Sequence, residues 1–198
     1  MSARDERLHR WLAAVVATRG LTAIDDLREA QSVLLADSLR GVDLVRCHGG
    51  PVVDVGSGGG VPGIPLAGAL PDIQMTLLEA NRRKADFLRG WEAEFPNVSV
   101  VWGRAECQAR DAYNVAVAKA LAPPPVAAEW CLPLVAPGGA AILWVGPSAD
   151  ADRVAHVAEQ LGGALVESPP GFLVLRKVRA TPAGFPRRPG MARKRPLA

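Results

Sequence analysis

The spacing of apolar residues divides the chain into a helical opening and a longer region where strands and helices alternate. Leu8, Trp11, Leu12, Val15 and Val16 recur every three or four positions, which predicts an amphipathic helix over residues 4–17. Leu27, Val33, Leu34, Leu39 and Val42 predict a second helical stretch over 25–45. From residue 51 the pattern changes. The runs PVVDVG, IQMTLLE, NVSVVWG, YNVAVAKA and AAILWV read as five buried strands. Between them, helices are expected over 61–70, 81–94, 124–135 and 151–161, with a brief segment at 105–109. Pro62 and Pro65 fall in the first turns of their helix, where proline is tolerated, and APGG is expected to close the helix of 124–135. GALVES and GFLVLRKV, joined through Pro169, Pro170 and Gly171, read as a closing hairpin.

Strands linked through helices pair in parallel with right-handed crossovers, so the fold class is α/β, a doubly wound sheet. One domain is expected: a helical part over 1–47, an α/β core over 50–178 and a tail over 179–198. Ligands of such sheets sit beyond the carboxyl ends of the strands, where strand order reverses. That gathers the turn after the first strand, Glu79 and Lys119 around one crevice.

Composition narrows the class. A chain of 198 residues, 49% apolar, can bury one ordinary core. No apolar run approaches the roughly 18 residues of a membrane span, and MSARDERLHRW lacks the apolar stretch of a signal peptide. Cys47, Cys107 and Cys131 lie far apart without metal-ligand spacing, so free thiols, a cytoplasmic location and no metal are expected. The net charge of +3 is unevenly spread. Arg176, Lys177, Arg179, Arg187, Arg188, Arg193, Lys194 and Arg195 close the chain with no acidic residue among them, leaving 15 basic and 20 acidic residues in the first 175. Such a tail suits a polyanion, nucleic acid first, or is a solvated end.

The turn VVDVGSGGGVPGIPLA carries the chemistry. A dinucleotide fingerprint can be fitted only by starting at Gly58, and that match is weak. Asp54 discriminates better, because a carboxylate beside a pyrophosphate would repel it, while the same group would favour a cofactor with positive charge and no phosphate. S-Adenosylmethionine has that character. Gly56, Gly58 and Gly60 would let the backbone approach its methionine part. Glu79, at the end of the second strand, suits the ribose hydroxyls, though NAD sites use such a residue too. Ala105 and Glu106, in GRAE, would face the adenine; an exposed Arg104–Glu106 pair is the alternative.

Together, DVGSGGGVPGIPLA, TLLEANRRKADFLR, GRAE, AEWCLPLVAPGG and FPRRPGMARKRPL resemble the bacterial 16S rRNA guanine-N7 methyltransferases (RsmG, or glucose-inhibited division protein B) from about residue 22 to 197. The resemblance implies a class I, Rossmann-like methyltransferase with a seven-stranded sheet and N-terminal helices. It implies S-adenosylmethionine as donor and a guanine in the 530 loop of 16S rRNA, or of the small subunit, as acceptor. Carried over, Gly56 and Val61 would line the cofactor, Ala105 and Glu106 would meet its adenosine half, and Glu79 matches the acidic residue after the second strand. With Asp54, Ser57, Gly58, Gly60 and Lys119 these make the expected cofactor set, while Arg83 and Lys84 match a basic pair that opens the following helix and are expected to bind RNA. Lys119 stands where the family has arginine, Val145 where it has lysine, and Val33 and Leu34 where it has an arginine–histidine pair.

Guanine N7 carries a lone pair and no proton, so its methylation needs no general base, and His9, His48 and His156 are expected outside the site. Lys119 is the expected positioning residue, holding the base, a phosphate or the cofactor's carboxylate. Arg187, Arg188, Arg193, Lys194, Arg195 and the cluster 176–179 would bind rRNA phosphates. The five tryptophans, Trp11, Trp91, Trp102, Trp130 and Trp144, are expected in packing roles, and the chain is expected to be a monomer. The competing readings are a weak or inactive family member acting as a cofactor- and RNA-binding ribosome factor, a small-molecule methyltransferase, and a nucleotide-dependent oxidoreductase.

Overall fold

The computed structural model describes residues 3–198, so the first two residues of the helical part lie outside it. Seven strands form one sheet in the order β3-β2-β1-β4-β5-β7-β6. They are β1 (Val52–Val55), β2 (Met75–Glu79), β3 (Val98–Trp102), β4 (Tyr113–Lys119), β5 (Val135–Trp144), β6 (Gly163–Glu167) and β7 (Phe172–Lys177). The first five are parallel and β7 runs antiparallel to both its neighbours. Order reverses between β1 and β4, which opens a crevice at their carboxyl ends.

Strand alternation assigns side chains to two cores. Val52, Met75, Leu77, Val115 and Val117 face α1 (Ala3–Ala17), α5 (Gly63–Ala69) and α6 (Arg82–Arg89). Val53, Val55, Ala116 and Ala118 face α7 (Pro124–Cys131) and α8 (Ala151–Gln160). The same alternation turns Asp54 to the α1–α5 side.

Three expectations need correction. The stretch 25–45 is not one helix: α2 (Leu27–Ala30) widens into a π-helical turn over Gln31–Ala36, followed by the short α3 (Asp37–Leu39) and α4 (Val42–Arg46). Ser38 Oγ donates to the Leu34 carbonyl at 2.5 Å, occupying an acceptor of the widened turn. The helix after β2 stops at Arg89, since Gly90 follows and residues 91–94 form turns. APGG does not close a helix either. It lies inside β5, which begins at Val135, and it bulges where register shifts between Tyr113 and Val115 of β4.

The tail is packed, not loose. Lys177 is fully buried, donating to the Leu132 carbonyl at 2.8 Å and Thr181 Oγ1 at 2.7 Å, with Asp111 at 3.4 Å. Burial lowers its pKa, and Asp111 opposes that. From there the chain crosses α7 and ends in α9 (Met191–Lys194), whose Ala192 is buried. Among the described residues no helix is long and apolar enough to cross a membrane.

Candidate functional site

The turn after β1 is braced from three sides. Trp11, fully buried on α1, donates Nε1–H to the Gly59 carbonyl at 2.9 Å. Glu79 accepts from Gly58 N–H at 2.9 Å and from Asn81 N–H at 2.7 Å. Beneath the turn, Asp54 Oδ2 accepts from Gly63 N–H at 3.0 Å, and Oδ1 has no hydrogen-bond partner among the described residues. Burial pushes the Asp54 carboxyl up to about 7, with the charge of Glu79 adding to it and the Gly63 bond opposing.

These contacts correct part of the expected cofactor set. Asp54 points into the core and braces the turn, lining neither cavity of the crevice. Ser57 turns its hydroxyl back to the Asp54 carbonyl at 2.9 Å, leaving its backbone to the crevice. Gly60 also serves packing: a Cβ there would stand 2.6 Å from Ile64 and 3.1 Å from Trp11 Nε1. A Cβ on Gly56 would strike Leu121. Gly56 and Gly58, with φ +72° and +58°, keep the expected form of bare backbone bordering the crevice.

Two neighbouring cavities lie in the crevice. The first, about 360 Å³, runs from Gly56 and Gly58 past Glu79 and Ala80 to Gly103, Arg104, Ala105 and Glu106. The second, about 280 Å³, is walled by Val15, Leu21, Val33, Leu34 and Val61, with Lys119 at one side. Gly56, Gly58, Lys84 and Ala120 border both. Ala120 holds φ +52°, a left-handed conformation that alanine seldom adopts, at this shared wall.

Lys119 Nζ lies 2.6 Å from Asp37 Oδ2, and Arg40 holds the other oxygen at 2.7 Å. Burial alone would raise the Asp37 carboxyl, but the hydrogen bonds from Lys119 and Arg40 outweigh it and hold it below its ordinary range. The charge of Lys119 is therefore compensated. Asp37 was not singled out from sequence, since its partner lies 82 positions away. Of the apolar replacements, Val33 and Leu34 wall the second cavity, whereas Val145 packs with the α7–α8 core.

The C-terminal segment supplies a wall that sequence reasoning missed. Gly190 and Arg193 border the first cavity. Gly190 N–H donates to Glu106 Oε1 at 3.0 Å, and the Arg193 guanidinium lies 5.2 Å over the Trp130 ring. Arg187 anchors the segment, donating from Nε and Nη2 to the two oxygens of Glu129 at 2.6 and 2.5 Å. Arg187 and Lys177 are thus corrected from RNA contacts to internal ties, because each is committed to a buried acceptor. Arg188, Lys194 and Arg195 stay exposed. Arg83 donates to the Arg19 carbonyl at 2.9 Å, and Lys84 faces both cavities. Trp102 is also corrected: it is 52% exposed, while Trp11, Trp130 and Trp144 are buried.

An O-methyltransferase of neocarzinostatin biosynthesis, solved with S-adenosylmethionine, superposes with a TM-score of 0.58 at 18% identity, over 89% of this chain and 70% of its own. The T. thermophilus 16S rRNA N2 methyltransferase RsmC, solved with AdoMet and guanosine, gives 0.51 at 20% identity, over 75% and 40%. Sheet order and these likenesses define the class, the Rossmann-like fold of the class I S-adenosylmethionine-dependent methyltransferases. A family model described as rRNA small subunit methyltransferase G matches residues 4–162. A Synechococcus elongatus protein named ribosomal RNA small subunit methyltransferase G is 35% identical, over 97% of this chain and 88% of its own. One of the same name from Rubrobacter xylanophilus is 36% identical, over 93% and 77%. The chain belongs to the rRNA small subunit methyltransferase G family, and is an enzyme that methylates rRNA.

Proposed function

We propose that the first cavity holds S-adenosylmethionine, that the second admits a guanine base of 16S rRNA in the small subunit, and that N7 of that base is methylated across their shared wall. The guanine of the 530 loop is the acceptor the sequence resemblance implies. The observation that carries this reading is the pair of neighbouring cavities that share Gly56, Gly58, Lys84 and Ala120 in their walls.

The residues present fit the cofactor. Each oxygen of Glu79 accepts one backbone N–H and keeps capacity for a ribose hydroxyl. Gly58 offers bare backbone, and Ala105 and Glu106 close the far end where the adenine would lie. When bound, S-adenosylmethionine supplies a methyl group on a sulfonium.

The chain's own task is positional. Guanine N7 needs no proton removed, so no base is required at the shared wall. Val15, Leu21, Val33 and Leu34 give the second cavity an apolar wall, from which a bound base would displace water. Lys119 offers a hydrogen-bond donor suited to O6, which guanine displays beside N7. Its ion pair with Asp37 fixes the ammonium and offsets its charge, which would otherwise oppose a cationic product. Alignment of the base with the donor is then the main source of rate. The chain is taken to act as a monomer, and the ribosomal substrate favours the cytoplasm.

Replacing Leu34 by tryptophan fills the second cavity and tests the division of labour. S-Adenosylmethionine affinity, read by calorimetry, should stay within about twofold while methyl transfer to small subunits is lost. Undiminished transfer by Leu34→Trp would remove the base from this cavity.

A further inference from the structure

Trp102 ends β3, the edge strand of the sheet, opposite Glu79 in register. Its indole is held, not mobile: Nε1–H donates to the Ala80 carbonyl at 3.1 Å, and the Arg82 guanidinium lies 5.4 Å from the ring centroid. Ala80 and Gly103, on either side of this arrangement, border the first cavity, so the ring stands on the crevice rim. A ring of this size left 52% exposed gains nothing from the core.

Its surroundings are cationic. Arg82, Arg83 and Lys84 fill the first turn of α6, and Arg104 follows β3. No acidic residue occupies that turn, although a helix N-terminus favours anions and disfavours cations. Asp86, one turn on, lies 3.8 Å from Arg82 and 2.6 Å from Arg89, offsetting part of this charge. A fixed aromatic face within a basic surface is the combination that captures unpaired nucleotides, the ring taking the base and the cations its phosphates.

The geometry points to Trp102 as a stacking platform for an unpaired nucleotide of the rRNA substrate, outside the methylated base itself, with Arg82, Arg83 and Arg104 beside it for the adjoining phosphates. This rests on the proposed function, in which rRNA is the substrate.

Stacking and charge leave different marks on salt dependence, which makes the platform testable. Binding of a short single-stranded oligoribonucleotide would be titrated at several salt concentrations for the parent chain and for Trp102→Ala, Trp102→Phe and Arg82→Gln. Trp102→Ala should weaken binding by about 5- to 150-fold with the salt slope unchanged, and Trp102→Phe should retain most of the affinity. Arg82→Gln should lower the slope of log K against log salt by about one. S-Adenosylmethionine affinity of all three should match the parent, and Trp102→Phe, which keeps the ring's buried part, should melt close to it. Parental RNA affinity in Trp102→Ala would overturn the platform. Equal loss of cofactor affinity would overturn it too, placing the ring in the cofactor site. If the parent chain itself bound no RNA, the proposed function would fall with it, a result distinct from either.

Discussion

Replacing Arg187 by methionine should release the C-terminal segment and weaken cofactor binding. Glu129 is 3% exposed, and Arg187 meets both of its oxygens. A carboxylate left unpaired at that depth costs about 3–5 kcal/mol. Against this stand the other ties of the segment. The Gly190 bond to the Glu106 carboxylate contributes about 1.5–3 kcal/mol, and burying the Ala192 methyl about 0.8 kcal/mol. The penalty is comparable to these two ties, while the Arg193–Trp130 contact and the packing of Phe185 and Leu197 also hold the segment. Local detachment around Arg187, which lets water reach Glu129, therefore competes with keeping the charge buried. Detachment strips Gly190 and Arg193 from the wall of the first cavity. Calorimetry should show S-adenosylmethionine affinity falling about tenfold or more, by the reckoning that about 1.4 kcal/mol is one decade. Limited proteolysis should show new cleavage between residues 180 and 190. Adding Glu129→Gln should restore part of both, because no charge is then buried alone. An Arg187→Met chain with parental affinity and parental protease resistance would refute this account of the wall.

Two further outcomes follow from the turn. Asp54 is protonated in the folded chain up to about pH 7, whereas in the unfolded chain it ionises near its ordinary value of 3.8. The unfolded state therefore binds fewer protons within that window, so Asp54 makes stability fall as pH rises from about 4 to about 7, with no further change above. Chemical denaturation of Asp54→Asn across that range should lack this component, and an identical slope in the two chains would contradict the buried carboxyl. Gly60→Ala should destabilise the chain by about 1–3 kcal/mol, because φ is +101° there and the new methyl meets Ile64 and Trp11; an unchanged melting temperature would contradict the packing role.

The strands were legible because each contains a short apolar run whose pairing follows from connection length, and β1, β2 and β4 lie where the pattern predicts. Residues of the first cavity contributed by the strand ends, Glu79, Ala105 and Glu106, were legible for the same reason. What alternation decides was misassigned at Asp54: a carboxylate beside glycines suggests a ligand, yet its parity along β1 sends it to Gly63. Long-range pairings were out of reach. Asp37 with Lys119 and Arg187 with Glu129 join elements 82 and 58 positions apart, and no local pattern marks a cation as an internal tie. Trp102 looked like a packing residue because its strand is apolar, but β3 is the edge strand and its end is open.

The central claim is methyl transfer from S-adenosylmethionine to N7 of a guanine. The most direct measurement incubates the purified chain with methyl-labelled S-adenosylmethionine and small ribosomal subunits lacking this methyl group, then maps the label on 16S rRNA. The account predicts label on N7 of one guanine in the 530 loop, reduced to background by Leu34→Trp. Label on another atom or loop, or no label from a chain that binds the cofactor, would contradict it.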